Sequence, residues 1–343
     1  MCDCLVALPA ATARGATLFA KNSDRPPHEA QRVEWLAPRR DTGAVRTTWI
    51  EVEPHPADTI GVLVSRPWWM WGVEHGVNEA GVAAGNETIY TTLDPRGAPP
   101  ALLGMDLVRL ALERADTAHA AVAVITDLLE RYGQGGSGHH GVERPYWSSF
   151  LVADPTDAWV VESSGTTWAT ERVTDVRAIS NRTTIPSFDA EHRHPRQPVE
   201  TLVDPRLNAS RAVLGAGAVD APALRAHLRS HVGGADGWTV CMHVPEVEAT
   251  TASVIAELPV ADRPWAHVLL GSPCTSVFVP LPVGRPLGEP VAWEAFTALG
   301  PTDRTRLDEL EAELVADARD DDEWPAEAWR RVAQVVSAAT QSR

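Results

Sequence analysis

The chain opens with the stretch Met1-Cys2-Asp3-Cys4-Leu5-Val6-Ala7-Leu8-Pro9. This stretch is mainly apolar and predicts a β-strand over residues 2–8, while residues 17–21 predict a second strand after a turn of small residues. In an antiparallel hairpin, the end of the second strand lies beside the start of the first. The sequence therefore predicts that Lys21 and Asp24 come close to the cysteine at position 2.

Cys2 would become the first residue of the chain if Met1 is removed, which a small second residue generally permits. Its thiol and its free α-amine would then lie on one residue. The thiolate is the reactive form of cysteine, and an ordinary thiol pKa of about 8.5 leaves little of it at neutral pH. An α-amine titrates near pH ~8 and is able to accept the thiol proton. Cys2 would thus supply both nucleophile and general base; the alternative is a cysteine without function.

The composition describes a large folded chain. Its 343 residues are 44% hydrophobic and 22% charged, which is ample for a substantial core. No linker is long enough to divide the chain, so we expect a single domain over residues 2–343, with a helical C-terminal region at about 302–340. A net charge of −16 argues against nucleic acid as a partner, because an acidic surface repels phosphates.

Three features that the sequence lacks indicate the cellular compartment of the protein. No apolar run approaches the length of a membrane span, and the N-terminus does not resemble a signal peptide. Four cysteines in a chain of this length do not form a disulfide framework. We therefore expect a cytoplasmic protein that does not bind a membrane.

Lys21 is the only lysine among 30 basic residues. Lysine and arginine differ in shape, hydration and ease of deprotonation, so a site that requires lysine would preserve it against such a bias. The alternative is a chance survivor on the surface.

The pattern of elements predicts an α+β protein. Apolar residues recur at helical spacing over 101–132, strands alternate with turns over 147–180, and a second strand meander covers 238–281. Two antiparallel sheets with helices from separate regions favour a four-layer αββα sandwich.

Neither a metal nor a cofactor is expected. Two zinc ligands from Cys2-x-Cys4 and two from Cys241-x-His243 would make a set of four. In both segments, however, the ligands are closer together in sequence than is usual for zinc. The glycine-rich segment 133–138 follows a helix rather than a strand, which excludes a dinucleotide site.

Several short blocks stand out together along the chain. In order they are Cys2-Asp3-Cys4-Leu5-Val6-Ala7-Leu8-Pro9, Phe19-Ala20-Lys21-Asn22-Ser23-Asp24-Arg25, Ser65-Arg66-Pro67-Trp68, Trp71-Gly72, Gly76-Val77-Asn78-Glu79, Ala158-Trp159-Val160-Val161-Glu162, Ile179-Ser180-Asn181 and Cys241-Met242-His243. The set resembles the secernins and the dipeptidases of peptidase family C69, and more distantly penicillin V acylases and bile-salt hydrolases. The resemblance covers most of the chain and implies the N-terminal nucleophile hydrolase fold, an αββα sandwich of two antiparallel sheets.

The resemblance implies roles for residues of the first hairpin. Cys2 would be the nucleophile and its α-amine the base. Asp24 would hold that amine by hydrogen bonding. Lys21 takes the position at which the acylases carry an arginine, where a cation stabilises the thiolate.

Three further residues receive roles from the same resemblance. Asn86 and Asn181 would form the oxyanion hole, and Arg211, in Ser210-Arg211, would support the site. Some relatives carry a propeptide before the cysteine; here only Met1 precedes Cys2, so maturation should need only its removal.

These features lead to a cysteine amidohydrolase that cleaves a small peptide or amide bond through a thioester on Cys2. Dipeptide hydrolysis is the first interpretation, and an N-acyl amide acylase of the penicillin V acylase type is the second. A non-catalytic, secernin-like binding or scaffold protein is the alternative from another class. The expected partner is the small peptide or amide substrate; relatives often assemble, and the sequence leaves a monomer and a homo-oligomer both open.

Overall fold

The computed structural model describes residues 1–341 of the chain, with side chains up to residue 339. Two large antiparallel sheets form its centre. Sheet A contains, from edge to edge, β12 (Val176–Ile179), β1 (Cys2–Ala7), β2 (Thr17–Arg25), β14 (Glu248–Leu258), β15 (Trp265–Leu270) and β16 (Val279–Pro282), with β13 (His243–Val244) also paired to β14.

Sheet B has seven strands. Neighbouring strands in the sheet are consecutive in the chain except for the last pair at one edge. It contains β11 (Thr167–Arg172), β10 (Ala158–Ser164), β9 (Trp147–Ala153), β8 (Ala83–Ile89), β7 (His75–Asn78), β6 (Val62–Pro67) and β3 (Gln31–Leu36). A separate two-stranded ribbon pairs β4 (Val45–Arg46) with β5 (Glu51–Val52).

The α-helices lie between these strands and at the C-terminal end. They are α1 (Gly104–Arg114), α2 (Ala118–Tyr132), α3 (Pro186–His192), α4 (Val199–Leu202), α5 (Asp204–Leu214), α6 (Ala221–Leu228), α7 (Trp293–Thr297), α8 (Arg304–Asp317) and α9 (Trp324–Gln341). None of the helices within residues 1–341 is long and apolar enough to span a membrane.

Alternating side chains of β1 separate two layers of the core. Cys4 and Val6 pack into the core between the two sheets, whereas Leu5 and Ala7 pack with residues of α5 and α6 on the outer face of sheet A. This alternation follows from the two-residue period of a strand. Because both faces of β1 are covered, all six of its residues are buried.

The remaining layers complete the sandwich. Helices α1 and α2 cover the outer face of sheet B with a separate apolar cluster, and α8 and α9 pack against β16, the strand at one edge of sheet A. Covering an edge strand hides backbone groups that would otherwise pair with another chain. The predicted α+β class, with two antiparallel sheets between helical layers, is confirmed.

Two sequence-based expectations at the strands are wrong. The second strand does not end at residue 21 as expected, because β2 continues through the polar residues to Arg25 and pairs with β14 up to Ala249. The strands of 147–180 do not form one meander either: β12 leaves sheet B and pairs with β1, with Cys4 opposite Ile179. A period-two pattern specifies a strand but not the sheet that it joins. Because β12 pairs with β1, Asn181, which follows β12, lies beside Cys2.

Candidate active site

The hairpin of β1 and β2 places Cys2 among polar residues. Its register sets Cys2 opposite Ser23 and Cys4 opposite Lys21. Directly opposed residues of an antiparallel pair project to the same face, here the interior between the sheets. Cys2 is 6% exposed, and the backbone N–H of Asp24 points at its Sγ from 3.4 Å. The predicted proximity of Lys21 and Asp24 to Cys2 is therefore present in the structure.

The nitrogen of Cys2 is held by a side chain from another strand end. It donates to Oδ1 of Asn181, the second residue after β12, at 2.9 Å. With Met1 present, this nitrogen is a peptide N–H; after removal of Met1 it would be the α-amine. The amine of Met1 itself donates to the carbonyl oxygen of Asp24 at 3.3 Å and forms an ion pair with Glu248.

Asp24 contacts the amino-terminal group through its backbone rather than its carboxylate. Its Oδ1 accepts a hydrogen bond from Thr250 at 2.6 Å, while Oδ2 has no hydrogen-bond partner among the residues described. The predicted carboxylate–amine bond is thus absent while Met1 is in place. Burial raises the pKa of Asp24 to about 7, although the terminal amine and Arg206 oppose this.

Arg206 is a site residue that the sequence analysis missed. It lies on α5 and is fully buried, with Nη1 at 2.5 Å from Oδ2 of Asp3 and Nη2 at 2.9 Å from Oδ1 of Asn181. Because Asn181 Nδ2 donates to the carbonyl of Thr88 at 3.0 Å, the orientation of this amide is determined. Asn181 therefore presents an acceptor to the nitrogen of Cys2, while Thr88 takes one of the two N–H groups of its Nδ2; its oxyanion-hole role stays a prediction.

Arg211 does not reach the site. It is exposed and contacts Asn208, one turn away on the same helix, at 3.4 Å. Ser210 and Arg211 also lie inside α5 rather than at its start. Residues five apart on a helix differ by about 140° in direction, so Arg206 and Arg211 cannot face the same layer. The helical period would have separated them had the boundaries of α5 been known.

Asn86 faces the site from sheet B. It is buried on β8, its Nδ2 lies 3.5 Å from the sulfur of Met105, and its Oδ1 has no hydrogen-bond partner among the residues described. Thioether sulfur is a weak acceptor, so this amide N–H remains available to a developing oxyanion. Asn86 and Asn181 both line the cavity beside Cys2, and Asn86 is the one whose Nδ2 contacts only a weak acceptor.

Lys21 is buried completely at the centre of the site. Its Nζ donates to Oγ of Ser23 at 2.9 Å and lies 3.7 Å from a carboxylate oxygen of Glu74. Burial alone would lower the pKa of Lys21, but interaction with Cys2 in its thiolate form and with the carboxylate of Glu74 raises that pKa. Lys21 therefore remains a cation beside the thiol, and the surface alternative is wrong. The close approach needs Gly85, where an added Cβ would lie 2.5 Å from Cδ of Lys21.

The thiol of Cys2 is protonated at neutral pH when Met1 covers it. Burial raises the pKa of Cys2 to about 11, and the positive charges of Lys21 and the terminal amine oppose this only in part. The reaction of this thiol consequently requires a base that takes its proton.

A small cavity of about 40 Å³ opens beside Cys2. Met1 forms part of its wall. The other lining residues that bear charged or polar side chains are Asp24, Arg25, Glu74, Asn86, Thr88, Tyr90, His139, Arg144, Tyr146, Asn181 and Glu248. The cavity is therefore small, polar and partly closed by the residue that must leave to free the α-amine.

The zinc group considered from the sequence does not assemble. Cys2 and Cys4 pack between the sheets, whereas Cys241 and His243 lie together with His231 and Cys274 in a different part of the described chain. The four cysteines carry free thiols.

Comparison with known proteins agrees with this arrangement. The sequence model of peptidase family C69 matches residues 2–204. The C2A mutant of conjugated bile acid hydrolase from Clostridium perfringens is similar in structure, with a TM-score of 0.52, 13% identity, and coverage of 82% of this chain and 92% of that chain. The R18L variant of the same hydrolase gives a TM-score of 0.51 at 13% identity, covering 81% of this chain and 92% of its own. An N-acylethanolamine-hydrolyzing acid amidase orthologue from Caenorhabditis elegans gives a TM-score of 0.43 at 12% identity. The match covers 76% of this chain and 94% of that chain.

The bile acid hydrolase structures share the sandwich of two antiparallel sheets, and the fold is that of the N-terminal nucleophile hydrolases. The family match spans the first hairpin, sheet B and the segment that carries Asn181. This chain belongs to peptidase family C69 and is a hydrolase of carbon–nitrogen bonds of the N-terminal cysteine type.

Proposed function

We propose that the protein is a cysteine dipeptidase that recognises the free α-amine of a small peptide and cleaves the peptide bond through a thioester on Cys2. The observation that carries this proposal is the ion pair between the amine of Met1 and Glu248 inside the cavity beside Cys2. A single amino-acid residue with a charged amine thus fits next to the nucleophile. Removal of Met1 would vacate that position for the first residue of a substrate.

Glu248 supports recognition of an ammonium group. Its side chain is 3% exposed, and apart from Met1 its charged neighbour is Arg144, whose Nη1 lies 3.8 Å from Oε2. A buried carboxylate is costly unless it is paired. Once Met1 has gone, the α-ammonium of a dipeptide would restore the missing partner, whereas an N-acyl amide has no α-ammonium to offer.

The chemical steps use groups of Cys2 itself. The α-amine takes the proton of the thiol, and Sγ attacks the carbonyl carbon of the scissile bond to form a tetrahedral intermediate. The carbon–nitrogen bond then breaks as the ammonium returns the proton to the leaving nitrogen, which leaves a thioester. Water adds to the thioester with the α-amine as base, the carbon–sulfur bond breaks, and the acid product and the thiol are released.

The surrounding residues hold this geometry. Asn181 accepts from the nitrogen of Cys2 at 2.9 Å, which would orient the lone pair of the α-amine. Lys21 lowers the cost of forming the thiolate, and Asn86 is the proposed donor to the oxyanion. We propose the reducing cytoplasm as the compartment, because the thiol of Cys2 must stay free to react.

The test combines intact mass with substrate choice. Mass spectrometry of the purified protein measures whether Met1 has been removed, and Cys2→Ala should abolish all hydrolysis. We expect turnover of dipeptides with a free amine and little turnover of their N-acetylated forms. Glu248→Gln should raise KM for free dipeptides by about tenfold or more, as expected for loss of a hydrogen bond to a charged group. Glu246→Gln is the matched control, since that side chain is 87% exposed.

Each alternative has its own result. A retained Met1 leaves Cys2 without a free α-amine and contradicts the mechanism. Preferential hydrolysis of N-acyl amides, unaffected by Glu248→Gln, would replace the dipeptidase by an acylase while the hydrolase remains. A processed chain whose Cys2 is inert towards thiol-reactive amide analogues would favour the secernin-like binding protein.

A further inference from the structure

Four potential metal ligands from three separate segments meet at one place in the described chain. His231 follows α6, Cys241 and His243 lead into β13, and Cys274 lies in the short 3₁₀ turn Pro273–Thr275 after β15. The donor atoms of all four lie within 4.8 Å of one another. Nε2 of His243 is 3.3 Å from Sγ of Cys241 and 3.2 Å from Sγ of Cys274.

Two of these separations are close to those of a tetrahedral metal site. With metal–sulfur bonds of about 2.3 Å and metal–nitrogen bonds of about 2.0–2.1 Å, tetrahedral angles place a sulfur and a nitrogen about 3.5 Å apart. The two sulfur–nitrogen distances around His243 are within about 0.3 Å of that value. The rings of His231 and His243 meet edge to face with centroids 5.2 Å apart, and a nitrogen of each lies within 4.8 Å of the two sulfur atoms.

We propose that Cys241, His243, Cys274 and His231 bind one zinc ion in a site with a structural role. Two thiolates and two imidazoles form the donor set that selects zinc over magnesium or calcium, which prefer oxygen. Four protein ligands leave no open position for water or substrate, which distinguishes a structural site from a catalytic one.

Hydrogen bonds hold the ligand segments in place. The N–H of Cys241 donates to the carbonyl of Ser230 at 2.9 Å, which fixes the segment before β13 beside the residue preceding His231. Nη1 of Arg304 reaches the carbonyl of Ser276 at 2.8 Å and steadies the turn that carries Cys274. The metal would therefore bind a group that is already close to its final geometry and would cross-link three parts of the chain.

Hydrogen bonds through Met242 and Thr250 connect the proposed zinc site to Asp24. Met242 lies between two of the ligands, and its N–H donates to Oγ1 of Thr250 at 2.9 Å. The same Oγ1 donates to Asp24 at 2.6 Å. Zinc would thus stabilise the segment on which the position of Asp24 depends, without taking part in the hydrolysis. The inference does not rest on the proposed dipeptidase activity.

The first test measures metal content directly. Protein purified without chelators should contain about one zinc per chain by elemental analysis, as expected for a closed four-ligand site. Cys274→Ser and His231→Gln should each lose at least about tenfold in zinc affinity. Cys4→Ser controls for the loss of a buried cysteine elsewhere, and His28→Gln for the loss of an exposed histidine; both should keep the metal.

The second test needs no variant and covers the case in which a variant fails to fold. Cobalt added to reduced, metal-free wild-type protein should give the charge-transfer absorption of cobalt–thiolate bonds, and zinc should displace it. Absence of zinc after reconstitution, together with absence of this absorption, would overturn the proposal. So would a disulfide between Cys241 and Cys274 in the freshly isolated protein, seen as an unreactive pair of thiols, or metal that persists unchanged in Cys274→Ser.

Discussion

Replacing Arg206 by methionine would leave a buried carboxylate without its cation. Arg206 and Asp3 both have fully buried side chains; Arg206 donates to Oδ2 of Asp3, and Oδ1 has no hydrogen-bond partner among the residues described. Removing one member of a buried ion pair typically costs about 3–5 kcal/mol, because the remaining charge is neither solvated nor paired. We therefore expect Arg206→Met to lower the free energy of unfolding by about that amount.

Arg211→Met is the matched control, since it is the same substitution on the same helix. Arg211 is exposed, and a surface substitution of this kind usually changes stability by less than about 0.5 kcal/mol. Urea denaturation followed by tryptophan fluorescence measures both variants. The double variant Asp3→Asn, Arg206→Met removes the unpaired charge and should recover much of the lost stability.

Activity separates the structural role of Arg206 from its role in positioning. Arg206 donates to Oδ1 of Asn181, the atom that also accepts from Cys2. The double variant should therefore remain slow, with a reduced kcat, even where its stability has recovered. Equal stability of Arg206→Met and Arg211→Met, or full kcat in the double variant, would refute the reasoning.

Two further predictions concern the interior around Lys21. Gly85→Ala should cost about 1–3 kcal/mol in urea denaturation and reduce kcat, because the new Cβ would lie 2.5 Å from Cδ of Lys21. Gly43→Ala, where nothing lies within 4 Å of an added Cβ, is the control, and equal effects of the two would contradict the packing argument. Burial raises the pKa of Glu87 from 4.5 to about 8, so the native state keeps a proton that the unfolded chain releases. Stability should therefore fall as pH rises from about 5 to about 8, by about 1.4 kcal/mol per pH unit for this proton, and Glu87→Gln should lack that contribution. Urea titrations at several pH values test this, and an unchanged slope in Glu87→Gln would assign the proton to another group.

Local sequence was sufficient for the first hairpin and its chemistry. The apolar strand, the turn and the second strand are neighbours in the chain, so their pairing follows from pattern alone. That pairing predicted Lys21 and Asp24 beside Cys2, and the register confirms the proximity. Lys21 is the single lysine of the sequence, and this fact alone indicated a residue that the structure shows to be buried.

Orientation within the site was not available from the same pattern. Asn181 was identified through the resemblance, but the direction of its amide depends on Arg206 and on the carbonyl of Thr88. Those partners come from a helix of the outer layer and from a strand of sheet B. Arg211 also came from the resemblance, and Arg206 was missed; the face that each residue presents depends on the bounds of α5, which were unknown.

The zinc ligands show the same division. Cys241 and His243 are two residues apart and were noticed, whereas His231 and Cys274 join them only through the packing of α6 and β15. The sequence by itself predicted Cys2 as the nucleophile and determined the first hairpin and the αββα layers, because these depend on residue type and short-range periodicity. Only the tertiary structure decided that β12 crosses to sheet A, that Arg206 orients Asn181 and that four ligands converge. Such contacts depend on how distant elements pack against one another, and a local pattern does not encode that packing.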